Sequence, residues 1–292
     1  MSDTSPAKRS DFRFLERLRV RWAEIDAQQI VFNGHYLMYF DTAIAGYWRA
    51  MAMPYHETME GLAGDLYVRK ASLDYLGSAR YDDLLDVGLR CRRIGNSSIV
   101  FDGAVLLQER LLVGCELVYV FADPASQTSK PVPPALREAL QGFEAGETMT
   151  RLEVGAWPEL KEPARALRTR VFVDEQRIPA DLEWDDADGD AVHAVVCNRF
   201  DRPLATGRLL QHAPAVGRIG RMAVHQAVRG SGIGRQVLDA LVDAARRRGD
   251  REVLLHAQMS AVPFYLRAGF ATHGEVFVEA GIEHVEMVLP LT

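Results

Sequence analysis

A chain of 292 residues with 48% apolar content holds more than one hydrophobic core usually needs, so composition favours two ordinary domains over one. The formal charge of -6 is shared by both halves, which excludes the basic surface of a nucleic-acid binder. The polar start MSDTSPAKRSDF has no apolar run behind it and no stretch approaches a membrane span, so the expectation is a soluble, cytoplasmic protein with no membrane partner.

Residues 1–11 read as a polar tail. The run LERLRVRWAEI then places Leu18, Val20 and Trp22 on one face at the period of a strand. After DAQQIVFNG, the segment HYLMYFDTAIAGYWRAM carries Tyr36, Phe40, Ala43, Tyr47 and Met51 at helical spacing. Leu37, Ile44 and Trp48 widen that stripe, which predicts a helix buried on most sides. Four strand-like runs follow: LYVRKASLDYL, LLDVGLRCRRI, SIVFDGAVLLQ and LLVGCELVYVFA. One apolar helix beside a largely antiparallel sheet is an α+β arrangement. Pro131, Pro133 and Pro134 stop the last strand and open a short helix, PALREALQGF. The polar segment EAGETMT places a boundary that separates residues 12–145 from 146–292.

Beyond it, WPELKEPARALRTRVFV puts Leu160, Ala164, Leu167 and Val171 at helical intervals, and AVHAVVCN, LATGRLL, RIGRMAVH and EVLLHAQ read as strands. Between the last two, a helix aligns Val237, Leu238, Leu241, Val242 and Ala245 and ends at Gly249 as a cap. Cys91, Cys115 and Cys197 match no metal or redox spacing and read as small core hydrophobes, so no metal site is expected.

The stretch VRGSGIG lies between a strand and that helix. It places unpaired N–H groups at a positive dipole end, where glycine lets an anion approach the main chain. Its spacing is neither that of a P-loop nor that of the Rossmann fingerprint, and a tight turn is the plain alternative. Arg229, Gly232 and Gly234, in the order R-x-x-G-x-G, resemble the pyrophosphate-binding motif of the GNAT acetyltransferases. The resemblance runs through most of residues 150–290, including RVFVDEQRIP, EWDDADGDAVHAVV and PFYLRAGF, and is closest to the ElaA-like branch. It implies a C-terminal α/β domain with a mixed sheet that binds acetyl-CoA through Arg229, Gly230, Ser231, Gly232, Ile233, Gly234 and Arg235. The backbone of Met222, Ala223 and Val224 would polarise the thioester carbonyl. Tyr265 would sit beside the sulfur and protonate the thiolate that departs as an amine acceptor attacks. Without the glycine loop, FY and GF would read as a core aromatic pair. The general base stays open among Glu183, Asp185, Asp186, His193 and His256, and the two histidines read equally well as satisfied core residues. Arg218, Arg221, Arg229 and Arg235 are the arginines expected to meet phosphates.

In the first half, EIDAQQIVFNGHYLMYFDTA ends a strand and delivers the chain to a helix whose first amides should be free. A carboxylate near such amides can act as nucleophile or base toward a carbonyl that the helix end polarises. From pattern alone, Asp26 reads as a turn residue or a cap. The segment resembles the hotdog-fold acyl-CoA thioesterases of the YbgC and 4-hydroxybenzoyl-CoA thioesterase type. The matching features are the aspartate, the turn Ile30 to Phe32, and Asn33, Tyr36 and Leu37 leading into the central helix. The resemblance covers about residues 12–143. It implies Asp26 as catalytic carboxylate, an oxyanion site at the N–H groups of Gly34, His35 and Tyr36, and a homodimer or higher homo-oligomer with the site at its interface. Gln28 and Gln29 stand where the family often has glycine. The two resemblances together imply a bifunctional enzyme that hydrolyses acyl-CoA in one half and transfers an acetyl group to an amine in the other. The alternative is a transferase whose hotdog half is a non-catalytic acyl-CoA-binding and dimerisation module.

Overall fold

The computed structural model describes residues 7–291, and the chain divides into two compact units with the boundary between Met149 and Thr150. The first six residues of the expected tail lie outside the described residues. Arg9–Asp11 form a 3-10 turn, and Arg9 Nε donates to Asp86 at 3.0 Å.

The first unit is one antiparallel sheet against a long helix. Strands β1 (Phe14–Arg19), β2 (Asp65–Tyr75), β3 (Leu84–Ile94), β4 (Ser98–Leu107) and β5 (Arg110–Ala122) lie in the order β1-β3-β4-β5-β2. Helix α1 (Asn33–Ala50) packs on β1 and β3, α2 (Tyr55–Gly61) follows it, and α3 (Pro134–Glu144) closes the unit against β3. Tyr36, Phe40, Ala43, Tyr47, Ile44 and Trp48 are all buried, as the helical stripe predicts. At Gly103 of β4, an added Cβ would lie 2.6 Å from the Phe40 ring, so glycine is what lets helix and sheet approach there. This is the hotdog arrangement.

Two expectations fail locally. Trp22 is not on the strand face: the β1–β3 ladder ends at Arg19 opposite Leu84, and Trp22, 77% exposed, starts a 3-10 turn. The Glu24 carboxylate accepts the Arg21 N–H at 2.8 Å and so draws the chain out of the strand. Leu37 is 44% exposed, because the first turns of α1 present one side that the sheet does not cover.

The second unit is a seven-stranded sheet of β6 (Thr150–Ala156), β7 (Val192–Asn198), β8 (Pro203–Ala213), β9 (Val216–Val224), β10 (Glu252–Gln258), β11 (Ala271–Glu279) and β12 (Ile282–Pro290). The order is β11-β12-β10-β9-β8-β7-β6, mixed because β9 and β10 pair in parallel. Helix α4 (Trp157–Arg168) continues into a π-helical turn, Thr169–Glu175, and α5 (Ala180–Glu183) follows. Helix α6 (Ile233–Arg248) joins β9 to β10, and α7 (Val262–Arg267) joins β10 to β11. Leu160 and Ala164 of α4 pack on Val195 and Cys197. Gly207, opposite Ala194 in the ladder, faces Val237 and Leu241 of α6. Neighbouring side chains on a strand point to opposite faces, so α4 and α6 cover the two faces of the sheet. The three cysteines are free, and no described helix is long and apolar enough to cross a membrane.

Candidate functional site

Strands β9 and β10 pair only where Val216–Arg218 meets Glu252–Leu254, and beyond that register they part. The edge of β9 that faces away from β8 then has no ladder partner. A bulge adds to this opening: Arg221 takes φ 51°, and the ladder with β8 shifts between Thr206 and Arg208. The gap holds a cavity of about 360 Å3, lined by Gly220, Arg221 and Met222 from β9 and by Leu255, His256 and Gln258 from β10. Met222 of the expected thioester-binding segment lines it, whereas Ala223 and Val224 are held in the ladder with Thr206 and Ala205.

The glycine loop follows the open end of β9. Gly230 and Gly232 take φ 82° and 87°, and an added Cβ on either would meet nothing within 4 Å. The left-handed backbone, not crowding, is what favours glycine at both. Among the described residues, the N–H groups of Gly230, Gly232, Ile233 and Gly234 reach no backbone carbonyl. Ser231 turns inward instead, its hydroxyl donating to the Val228 carbonyl at 2.6 Å. Four open amides at the start of a long helix form an anion cradle.

The arginines expected on phosphates are engaged elsewhere. Arg229 makes a bidentate pair with Glu175 at 2.7 Å and donates to the Val224 carbonyl; Arg235 pairs with Asp239 at 2.7 Å. Arg221 pairs with Glu183 and Asp185 at 3.1 and 3.2 Å, and Arg218 donates to His256 Nδ1 at 3.1 Å. Arg218 and Arg221 line the cavity rather than the glycine loop. An anion at the loop would therefore meet main-chain groups first.

Tyr265 lies in α7, buried, with its ring against Phe264 and Phe270 at 4.9 and 5.9 Å. It lines the cavity, and its hydroxyl has no hydrogen-bond partner among the described residues. Burial pushes the phenol up to about 12, so it keeps its proton at neutral pH. It is thus both a member of an aromatic cluster and a proton donor facing open space.

The five candidate bases now separate. His193 is buried, stacks on Trp157 at 4.7 Å and bonds the Asp188 carbonyl at 2.9 Å, and burial holds its imidazole below the ordinary value. It is a satisfied core histidine. Asp186 is exposed outside the cavity. Asp185 is clamped by both terminal nitrogens of Arg208 at 2.6 and 2.7 Å. Glu183 lines the cavity but bonds Arg168 and Arg221; its burial raises the carboxyl against the pull of those cations. His256 lines the cavity with its Nδ1 near Arg218 and 3.2 Å from Glu279.

Behind the cavity, Arg168, Arg208 and Arg221 interlock with Glu183, Asp185 and Asp188. Arg168 also lies over the Trp184 ring at 4.7 Å. Three cations against three carboxylates allow a buried network to persist. The acidic run EWDDADGD shows half of it, but the arginines come from α4, β8 and β9 at no fixed spacing.

In the first unit, Asp26 closes its own turn. Its N–H donates to the Ile30 carbonyl at 2.9 Å, its carbonyl accepts the Gln29 N–H at 3.0 Å, and Oδ1 accepts the Gln28 N–H at 2.8 Å. Gln29 takes φ 58°, the left-handed geometry a glycine would supply. The turn leads into α1, whose first turn has no side-chain cap. Among the described residues, the Gly34 and Tyr36 amides reach no backbone carbonyl, while that of His35 donates to Phe32 at 2.9 Å. Two ties fix this helix end: the Ala79 N–H donates to Tyr36 Oη at 2.9 Å, and Tyr75 Oη donates to the Asn33 carbonyl at 3.1 Å. Sequence reasoning missed Glu24, a buried carboxylate that accepts the Tyr39 hydroxyl at 2.6 Å. Burial raises its carboxyl, but the bonds from Tyr39 and Arg21 outweigh that and hold it below the usual range.

A family model described as an acetyltransferase (GNAT) domain matches residues 168–291, and one described as the thioesterase superfamily matches residues 28–113. The uncharacterized N-acetyltransferase YjcF of Bacillus subtilis is 35% identical over 123 residues, 42% of this chain and 86% of that protein. Protein ElaA of Escherichia coli is 35% identical over 127 residues, 41% of this chain and 81% of that one. The crystal structure of a 1,4-dihydroxy-2-naphthoyl-CoA thioesterase from Synechocystis is 17% identical with a TM-score of 0.42, covering 45% of this chain and 97% of that one. Through its second unit the chain belongs to the GNAT acetyltransferase family, and its first unit, of hotdog fold, matches the thioesterase-superfamily model over residues 28–113.

Proposed function

We propose that the chain is a bifunctional acyl-CoA enzyme: the second unit transfers an acetyl group from acetyl-CoA to an amine, and the first hydrolyses an acyl-CoA thioester. The observation that carries the transferase reading is the parted β9 and β10, with four open amides at the mouth and an unpartnered tyrosine hydroxyl inside. In the transfer step the amine nitrogen attacks the thioester carbonyl carbon and the C–S bond breaks. The departing thiolate takes the Tyr265 proton, and the proton lost by the amine passes to His256. Main-chain groups of β9 around Gly220 to Met222 polarise the carbonyl. His256 is chosen over Glu183 because arginines hold the glutamate.

In the hydrolase reading, Asp26 supplies the carboxylate and the Gly34 and Tyr36 amides meet the thioester oxygen. The unit works as a homodimer: β2 has a long edge, and Trp22, Phe32, Tyr75 and Leu76 are large apolar side chains left exposed. A second reading, a binding and dimerisation module without hydrolysis, is favoured by one observation, that Asp26 Oδ1 already caps its own turn. Thiol release from acetyl-CoA, with and without a panel of primary amines, tests the whole. Amine-dependent release that falls in His256→Ala and returns with added imidazole supports the transfer step; no amine-dependent release with any acceptor refutes it.

A further inference from the structure

Arg218 differs from the other arginines around this site. Arg221, Arg229 and Arg235 each pair with a carboxylate, as do Arg168 and Arg208 in the network behind. Arg218 lines the cavity half-buried, and among the described residues the one hydrogen bond of its side chain goes to His256 Nδ1. Glu279 shares the cavity but lies against His256, 3.2 Å from the same nitrogen, and makes no ion pair with Arg218. A guanidinium has five donors and prefers a planar anionic partner. Among the described residues, most of those donors have no partner.

Its place along β9 says which ligand it meets. Arg218 stands opposite Leu254, in the last register where β9 and β10 still pair. The glycine loop begins past Val224 at the other end of the strand, roughly 20 Å away at about 3.3 Å per residue. Phosphates at the loop are out of its reach, and an acyl chain entering from the loop points its thioester toward Arg218. The anion that meets Arg218 therefore belongs to the acceptor.

Resting on the transferase reading above, we propose that the acceptor is a small amine bearing its own anionic group, which Arg218 binds at the closed end of the β9–β10 gap. The cavity of about 360 Å3 suits a small molecule of this kind beside a thioester. Binding there also has a consequence for His256. Nδ1 can accept from Arg218 or donate to Glu279, not both, so an anion that draws Arg218 away hands Nδ1 to Glu279. The acceptor itself thereby changes which partner holds the imidazole.

The test uses the full chain, saturating acetyl-CoA and matched acceptors: L-phenylalanine against phenethylamine, and O-phosphoethanolamine against ethanolamine. The expected result is a kcat/KM at least roughly tenfold higher for an anionic member of a pair, the scale of one charge-assisted contact. The first pair reports a carboxylate and the second a phosphate. Arg218→Gln should pull that ratio toward one by raising KM for the anionic acceptor, and Arg218→Lys should keep part of it. A wild-type ratio near one in both pairs, or a ratio that Arg218→Gln leaves intact, overturns the proposal. Calorimetry with acetyl-CoA separates the two levels: binding without acetylation of any of the four amines overturns the acceptor class alone, and no binding overturns the transferase reading itself.

Discussion

Replacing Tyr265 with phenylalanine isolates one proton. The ring sits between Phe264 and Phe270 at 4.9 and 5.9 Å, contacts that phenylalanine keeps. The hydroxyl has no partner among the described residues, so its loss orphans no buried group there and stability should change by less than about 1 kcal/mol. The chemistry should change far more. A positioned general acid contributes about 10²–10⁴-fold, or about 3–5 kcal/mol of barrier. Steady-state thiol release in the presence of an amine should show kcat lowered by about a hundredfold or more. Calorimetry should show acetyl-CoA affinity within about twofold of wild type, because the anion cradle at Gly230 to Gly234 is untouched. An unchanged kcat refutes the acid role. A loss of affinity equal to the loss of rate refutes it too, since the phenol would then be a binding group.

Gln29→Gly tests the turn that presents Asp26. With φ at 58°, glutamine carries a left-handed cost of about 1–2 kcal/mol, while glycine adds about 0.4–1 kcal/mol of unfolded-state entropy. The net is a stabilisation of up to about 1.6 kcal/mol, seen as a higher urea midpoint with amine-free hydrolysis retained; a lower midpoint contradicts the turn geometry. Alkaline pH should destabilise the first unit. Burial, then the neighbouring Glu24, Glu144 and Asp65, pushes the phenols of Tyr39, Tyr47 and Tyr55 above their ordinary value of 10.0, and burial takes Tyr119 to about 12. Each phenol holds its proton more tightly folded than unfolded. Their contribution is therefore complete below about pH 10 and drains as pH rises toward 12 and beyond. Denaturant midpoints that stay flat across that range, with phenolate absorbance rising at the ordinary pH, would show these phenols to be exposed.

How much of this was legible depended on burial. The α1 stripe was readable because Tyr36, Phe40, Ala43 and Tyr47 all face one core, and β3 and β4 because both have long buried runs. Strands β6, β11 and β12 went unread: β6 and β11 are edge strands whose side chains are nearly all exposed, so no apolar alternation marks them. The glycine loop and Tyr265 were legible as motifs, since left-handed glycine and a helix start are local demands. The Arg218, His256 and Glu279 cluster was not, because its members come from β9, β10 and β11, strands far apart in the chain that only the folded sheet brings together. The partners of the loop arginines were hidden for the same reason: sequence gives their charge but not Glu175 or Asp239, which pair with them.

The most direct measurement is thiol release from acyl-CoAs of short, long and aromatic chains, with and without amine, in wild type, Asp26→Asn and Tyr265→Phe. Two independent thioester sites predict a crossed result: amine-free release disappears in Asp26→Asn and persists in Tyr265→Phe, while amine-dependent release does the reverse. Amine-free release that survives Asp26→Asn for every acyl chain, or both activities falling together in either variant, would contradict it.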